Sequence, residues 1–118
     1  MKPGATGLTR VIHATGYSMK GLNAAWKHEA AFRQEVVLLI LLSAITFTFP
    51  ITRLEQLALI GSLVLVVIVE LMNSAVEAVV DRIGPDWHEL SGRAKDIGSA
   101  AVFVSLAFAG LTWFVILI

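Results

Sequence analysis

The sequence contains no cysteine, which excludes a disulfide framework and any thiolate metal site. Charge is scarce as well: Asp, Glu, Lys and Arg make up 15% of the 118 residues, and nine acids balance nine bases. A zero net charge, unevenly placed along the chain, argues against a nucleic-acid partner. Neither G-x-x-x-x-G-K-[ST] nor G-x-G-x-x-G occurs, so a bound nucleotide would be held without either glycine-loop device. His88-Glu89 does not open a zinc-protease motif, because Gly92 stands where the second histidine would be. The N-terminus lacks a compact apolar core followed by a small-residue cleavage site. No cleavable leader is expected, and the first spanning segment is expected to direct insertion.

What the chain has in abundance is apolar surface. Its hydrophobic fraction is 57% and its mean hydropathy +0.79, against roughly 45–50% apolar usage in soluble domains. The reading is a single membrane-embedded domain over residues 1–118, all-α in class.

Residues 8–28 form the first periodic segment. Leu8, Val11, Ile12, Thr15, Met19, Leu22 and Trp26 share one helical face, opposite Arg10, His13, Tyr17, Lys20 and Lys27. A helix this amphipathic is too polar to span and is expected to lie in the membrane interface. Three spanning helices should follow, over about 30–49, 54–83 and 92–118. The first has only Val36 to Phe49 free of charge, so the turn with Arg33, Gln34 and Glu35 must help it reach across. Pro50 should end it, Gly84-Pro85 should end the second, and a polar loop should run from Gly84 to Ser91. In the third, Ala101, Ser105 and Ala109 make a small-residue face for close packing, and Trp113 reads as an interface anchor.

Lys2, Arg10, Lys20, Lys27 and Arg33 precede the first span, Arg82, Arg93 and Lys95 surround the second loop, and Arg53 stands alone on the other side. The positive-inside rule then puts the N-terminus in the cytoplasm and the C-terminus outside. Glu29, Glu70, Glu77, Asp81, Lys95 and Asp96 all come to lie near the cytoplasmic boundary.

The stretch around which the rest is organised is Glu70 to Asp81. Positions 70, 73, 77 and 81 project from one side of a helix, giving a stripe of three carboxylates and an amide that begins at membrane depth. Ionisable groups there are costly and are functional candidates by default; helix glue is the plainer alternative. Carboxylates beside Lys95 and Arg10 suit Mg²⁺ with a phosphorylated nucleotide, since Mg²⁺ takes one or two carboxylates plus phosphate oxygens. A proton-coupled carrier or a small channel subunit would also gather acids in a span.

The run Glu70-x-x-Asn73-Ser74-Ala75-Val76-Glu77-x-x-Val80-Asp81 closely resembles the signature of the prokaryotic diacylglycerol kinase family. Lys20-Gly21-Leu22, Ala25-Trp26, Glu29 to Glu35 and His88 to Asp96 look like the same family, and the likeness extends from Gly7 to Trp113, most like the Gram-negative branch. The resemblance implies a homotrimer of three-span subunits in the bacterial inner membrane, phosphorylating diacylglycerol to phosphatidate with MgATP, in sites shared between subunits. It implies Glu70 as general base and Glu29 and Glu77 as ligands of the divalent metal. Arg10, Tyr17, Asp86, Trp87, His88, Lys95 and Asp96 would contact the nucleotide together with Glu29 and Glu77. The lipid would touch Arg10, Ala14, Trp26, Glu35 and Ser99 on its way to Glu70. Asn73 would either orient the metal shell or the base, or make an interhelical hydrogen bond, and Asp81 would support the cluster.

Two positions depart from the family: His13 stands where members carry lysine, and Asn23 where they carry arginine. Histidine is only partly charged near neutral pH, so a phosphate contact at 13 would be weaker and pH-dependent. The alternatives are an undecaprenol kinase of the same fold, as in the Gram-positive branch, and a non-catalytic membrane assembly subunit or carrier.

Overall fold

The computed structural model describes residues 6–118, all four of whose regular elements are helices; Lys2, counted in the charge argument, lies outside them. Helix α1 covers Gly7–His28 and carries Lys27 and His28 in its last turn, where cations complement the helix dipole. Its apolar stripe is left uncovered by the rest of the chain. Leu8, Val11, Ile12, Met19, Leu22 and Trp26 are all exposed, and Ala25 is the buried residue.

Glu29 breaks the chain between α1 and α2 (Ala30–Thr46) in an extended conformation, φ −118° and ψ 102°. It serves both helices at once: its N–H donates to Ala25 O at 2.9 Å, and its carbonyl accepts from Arg33 N–H at 3.2 Å. Arg33 also turns its guanidinium back across the break. Its Nη1 donates to Trp26 O at 2.7 Å and Lys27 O at 3.3 Å, satisfying carbonyls that the end of α1 leaves without helical partners. The corner is thereby fixed by side chain as well as backbone.

Helix α2 stops three residues before the expected Phe49. Phe47, Thr48 and Phe49 each donate a backbone N–H three residues back, to Ala44, Ile45 and Thr46, so the last turn tightens and unwinds ahead of Pro50. The reason is that a residue preceding proline is pushed out of the helical region. At 17 residues, α2 is about 25 Å long, short of a hydrocarbon core of about 30 Å.

Helix α3 runs over Arg53–Ile83. Thr52 and Glu55 close a reciprocal capping box at its start, Glu55 N–H donating to Thr52 Oγ1 at 3.1 Å and Thr52 N–H to Glu55 Oε1 at 2.9 Å. Gly84 ends it at φ 154°, a backbone setting that side-chain-bearing residues resist. Helix α4, Glu89–Leu117, starts three residues before the expected Gly92. His88 is the cause: its Nδ1 accepts from Leu90 N–H at 3.0 Å and its carbonyl from Gly92 N–H at 3.0 Å. The loop is therefore confined to 84–88.

The seam of the molecule lies on α3, where Leu59, Ser62, Val66, Glu70 and Ser74 are buried in turn, and α4 answers with Ser105 and Ala109. Two members of the small-residue face thus do meet α3, whereas Ala101 stays exposed. Trp113, read from sequence as an interface anchor, is built into the packing instead. Its Nε1 donates to Leu59 O at 3.1 Å and its ring meets Phe49 edge-on at 6.4 Å. A half-buried indole N–H needs an acceptor, and a helix carbonyl has a second lone pair to give.

Among the described residues α3 and α4 are the two helices long and apolar enough to cross a membrane, with mean hydropathy of 2.2 and 2.3 in their most apolar windows. Only 28% and 11% of those windows is buried within the chain. Their apolar sides therefore face outward, unlike the core helices of a soluble protein.

Candidate active site between α1 and α3

An open groove of about 910 Å³ separates α1 from α3. Small residues line it from both helices, Gly21 and Ala25 on α1 and Ser74 and Ala78 on α3. Each pair is four residues apart, which puts both members on one helical face and holds space open between the helices. The extended corner delivers Glu29 into one end, while α3 supplies Glu77 and, a turn further, Asp81. Two carboxylates distant in sequence thus share one cavity, and the cause is the break at Glu29 that Arg33 secures.

The polar stripe of α3 is graded along its length. Glu70 is 6% exposed, Asn73 and Glu77 are half-buried, and Asp81 is exposed. The stripe also divides, because Asn73 leans toward α4. Its Nδ2 donates to Glu77 Oε1 at 2.8 Å: the bond lies within α3, to a carboxylate of the groove, and not across an interface to another helix as one reading of Asn73 expected. Asp81 reaches α4 by another route, through Lys95 Nζ at 2.7 Å. Both ends of that pair are exposed, so solvent screens it, and it ties Lys95 to a residue that lines the groove.

Glu70 is not among the residues lining the groove, yet it lies within Coulombic reach of Glu77 and Glu29, and Glu35 of α2 within reach of Glu70. Four carboxylates from α2, α3 and the α1–α2 corner are therefore gathered and repel one another, with Lys95 of α4 within Coulombic reach of Glu77. Such repulsion is relieved by a bound cation or by protonation. Among the described residues no group of three or more His, Asp or Glu side chains is disposed to hold a metal by itself. Glu29 and Glu77 nevertheless fit a hard cation that draws most of its ligands from water and phosphate.

The other sequence-predicted residues spread around this centre. Trp87 and Asp96 line a second, shallower opening of about 600 Å³ with Glu89 and Arg93, while Asp86 and His88 are exposed in the loop between α3 and α4. Arg10 and Tyr17 are exposed on α1 before the groove begins at Ser18. Ala14 and Glu35 are half-buried; Trp26 and Ser99 are exposed. One chain thus joins Glu29, Glu77, Asp81 and Lys95 and leaves Arg10 and Tyr17 apart from them. Ser18, His28 and Ser74 line the groove without having been expected there. Ser18, Gly21, Ala25 and His28 recur at three- and four-residue steps on one face of α1, as Ser74 and Ala78 do on α3, and that spacing is their signal in the sequence.

The model of the family described as prokaryotic diacylglycerol kinase matches residues 16–117. The diacylglycerol kinase of Escherichia coli (strain K12) is 54% identical over 117 residues, covering 99% of this chain and 96% of the relative. That of Haemophilus influenzae is 53% identical, covering 92% of each chain, and that of Helicobacter pylori (strain 26695) is 40% identical, covering 94% of this chain and 87% of the relative.

Proposed function

The chain belongs to the prokaryotic diacylglycerol kinase family, and on that premise we propose that it phosphorylates sn-1,2-diacylglycerol to phosphatidic acid with ATP at the cytoplasmic face of the bacterial inner membrane. The observation that carries the reading is the meeting of Glu29 and Glu77 in one groove beside buried Glu70. In the transfer, the lipid hydroxyl oxygen bonds to the γ-phosphorus, the bond from that phosphorus to the bridging oxygen of ADP breaks, and the hydroxyl proton passes to the Glu70 carboxylate.

Glu29 and Glu77 would hold the Mg²⁺ that travels with ATP, and its charge would offset that of the phosphates. Asn73 keeps Glu77 turned into the groove. Lys95, held by Asp81, and Arg10 neutralise phosphate oxygens, while Tyr17, Asp86, Trp87, His88 and Asp96 contact the rest of the nucleotide. The lipid comes in along α1 past Arg10, Ala14 and Trp26, with Glu35 and Ser99 on its other sides. Because phosphoryl transfer depends mostly on position and charge, few protein groups suffice.

The assembly that fits this arrangement is a homotrimer of three-span subunits, N-terminus cytoplasmic and C-terminus periplasmic. Two features support it: Arg10 and Tyr17 lie outside their own chain's groove, and α3 and α4 leave most of their apolar windows uncovered. A neighbouring copy supplies what each lacks.

The test is transfer of labelled γ-phosphate from MgATP to a short-chain diacylglycerol in detergent, by wild type and Glu70→Gln in parallel, with undecaprenol as a second acceptor. Labelled phosphatidate from wild type, and loss of turnover in Glu70→Gln with nucleotide binding kept, are expected. A strong preference for undecaprenol would overturn the substrate, and near-normal turnover by Glu70→Gln would overturn the base.

A further inference from the structure

Among the described glycines, Gly98 of α4 is the one at which an added Cβ would meet another residue. That Cβ would overlap Asn73 Oδ1 and lie 3.3 Å from Asn73 Cγ, whereas at Gly61, Gly92 and Gly110 nothing lies within 4 Å of the same point. Position 98 is inside a helix and has no unusual backbone angle, so glycine is disfavoured there against alanine on conformational grounds. Its local reason is the space that the Asn73 amide occupies.

The amide is placed in one particular way. Its nitrogen donates to Glu77 Oε1 at 2.8 Å, and its oxygen is buried against α4 without a hydrogen-bond partner. Turning it over would set two acceptors face to face, so the oxygen must go to the packed side. A side chain at 98 would remove that side.

We propose that Gly98 is a positioning residue for the phosphotransfer site: by presenting no side chain it lets Asn73 pack against α4 with its NH₂ aimed at Glu77, and so fixes the orientation of that carboxylate. The inference rests on the assignment of Glu77 to the metal. Alanine at 98 would meet only the end of a side chain with two rotatable bonds. Asn73 can therefore swing aside without parting the helices, and the loss falls on Glu77 before it falls on the fold.

The experiment uses the full chain in mixed micelles with a non-hydrolysable ATP analogue. Mn²⁺ binding is read by electron paramagnetic resonance and folding by thermal unfolding, for wild type, Gly98→Ala, Asn73→Ala, the double variant, Gly110→Ala and Glu77→Gln. Gly98→Ala and Asn73→Ala should each weaken Mn²⁺ binding roughly tenfold, the scale seen when a group supporting a metal ligand is lost. Gly110→Ala should bind as wild type, and the double variant no worse than Asn73→Ala, since removing the amide removes the collision. Should Gly98→Ala alone not fold, a double variant that folds and binds like Asn73→Ala would report the same collision. Wild-type binding by Gly98→Ala, additive losses in the double variant, or a double variant that does not fold would each overturn the proposal. Wild-type binding by Glu77→Gln would instead overturn the metal assignment beneath it.

Discussion

Glu77 occupies the point where the requirements of the site converge, taking a hydrogen bond from Asn73, lining the same groove as Glu29 and lying within reach of the charge on Glu70. Replacing it with glutamine keeps the shape and the bond to Asn73 but removes the charge that balances a cation. Glu77→Gln is therefore expected to raise the Mg²⁺ concentration needed for half-maximal activity by at least about tenfold, with a smaller change in rate at saturating Mg²⁺. An unchanged Mg²⁺ dependence would reject the role. At this scale the sequence was informative about acids, because an ionisable group in an apolar run is conspicuous whatever it packs against. It was silent about Gly98 and about the amide direction of Asn73, which depend on what a second helix brings opposite. It offered an interhelical hydrogen bond for Asn73, whose partner is four residues away on its own helix and not across the interface.

Helix identities were legible from the apolar pattern and from Pro50 and Gly84-Pro85, and the ends less so. The end of α2 depends on how far a proline unwinds the preceding turn, and the start of α4 on His88 accepting from Leu90 N–H, a cap that residue type alone does not announce. Trp113 illustrates the same limit: near the end of an apolar run it looks like an anchor, and only the arrival of Leu59 from α3 gives its N–H an inward partner. Two substitutions separate structure from chemistry at this level. Thr52→Ala removes one arm of the capping box at the start of α3, and Trp113→Phe removes the hydrogen bond that α4 gives to Leu59 O of α3. Each should cost about 1 kcal/mol of stability. Both positions lie toward the opposite end of α3 from Glu70 to Asp81, so the rate per folded molecule should stay within about twofold of wild type. Unfolding in mixed micelles followed by circular dichroism, with turnover on the same samples, would check this. A large loss of rate at unchanged stability would show that this end of the bundle is coupled to the site.

For the molecule as a whole, topology turns on α2. Its 17 helical residues reach about 25 Å, less than the hydrocarbon core, while α3 and α4 exceed it. A short helix can still span where the bilayer thins or where flanking polar residues extend their side chains to the interface, and α2 begins with Arg33, Gln34 and Glu35 in its first two turns. If α2 spans, the chain crosses three times and its ends lie on opposite sides. If α2 lies in the interface with α1, only α3 and α4 cross and both ends share a side. The absence of cysteine makes the two cases easy to tell apart, because a single introduced thiol has no native background. Thr9→Cys and Ile118→Cys place that thiol at exposed positions on α1 and at the C-terminus. In intact spheroplasts a membrane-impermeant maleimide should label Ile118→Cys and leave Thr9→Cys unlabelled until the membrane is opened. Those labels would put α1, Glu29 and the groove on the cytoplasmic side, where ATP is. Labelling of both ends before opening, or of neither, would remove the third span. The corner that Arg33 closes would then have to bring Glu29 to Glu77 from a helix lying along the surface.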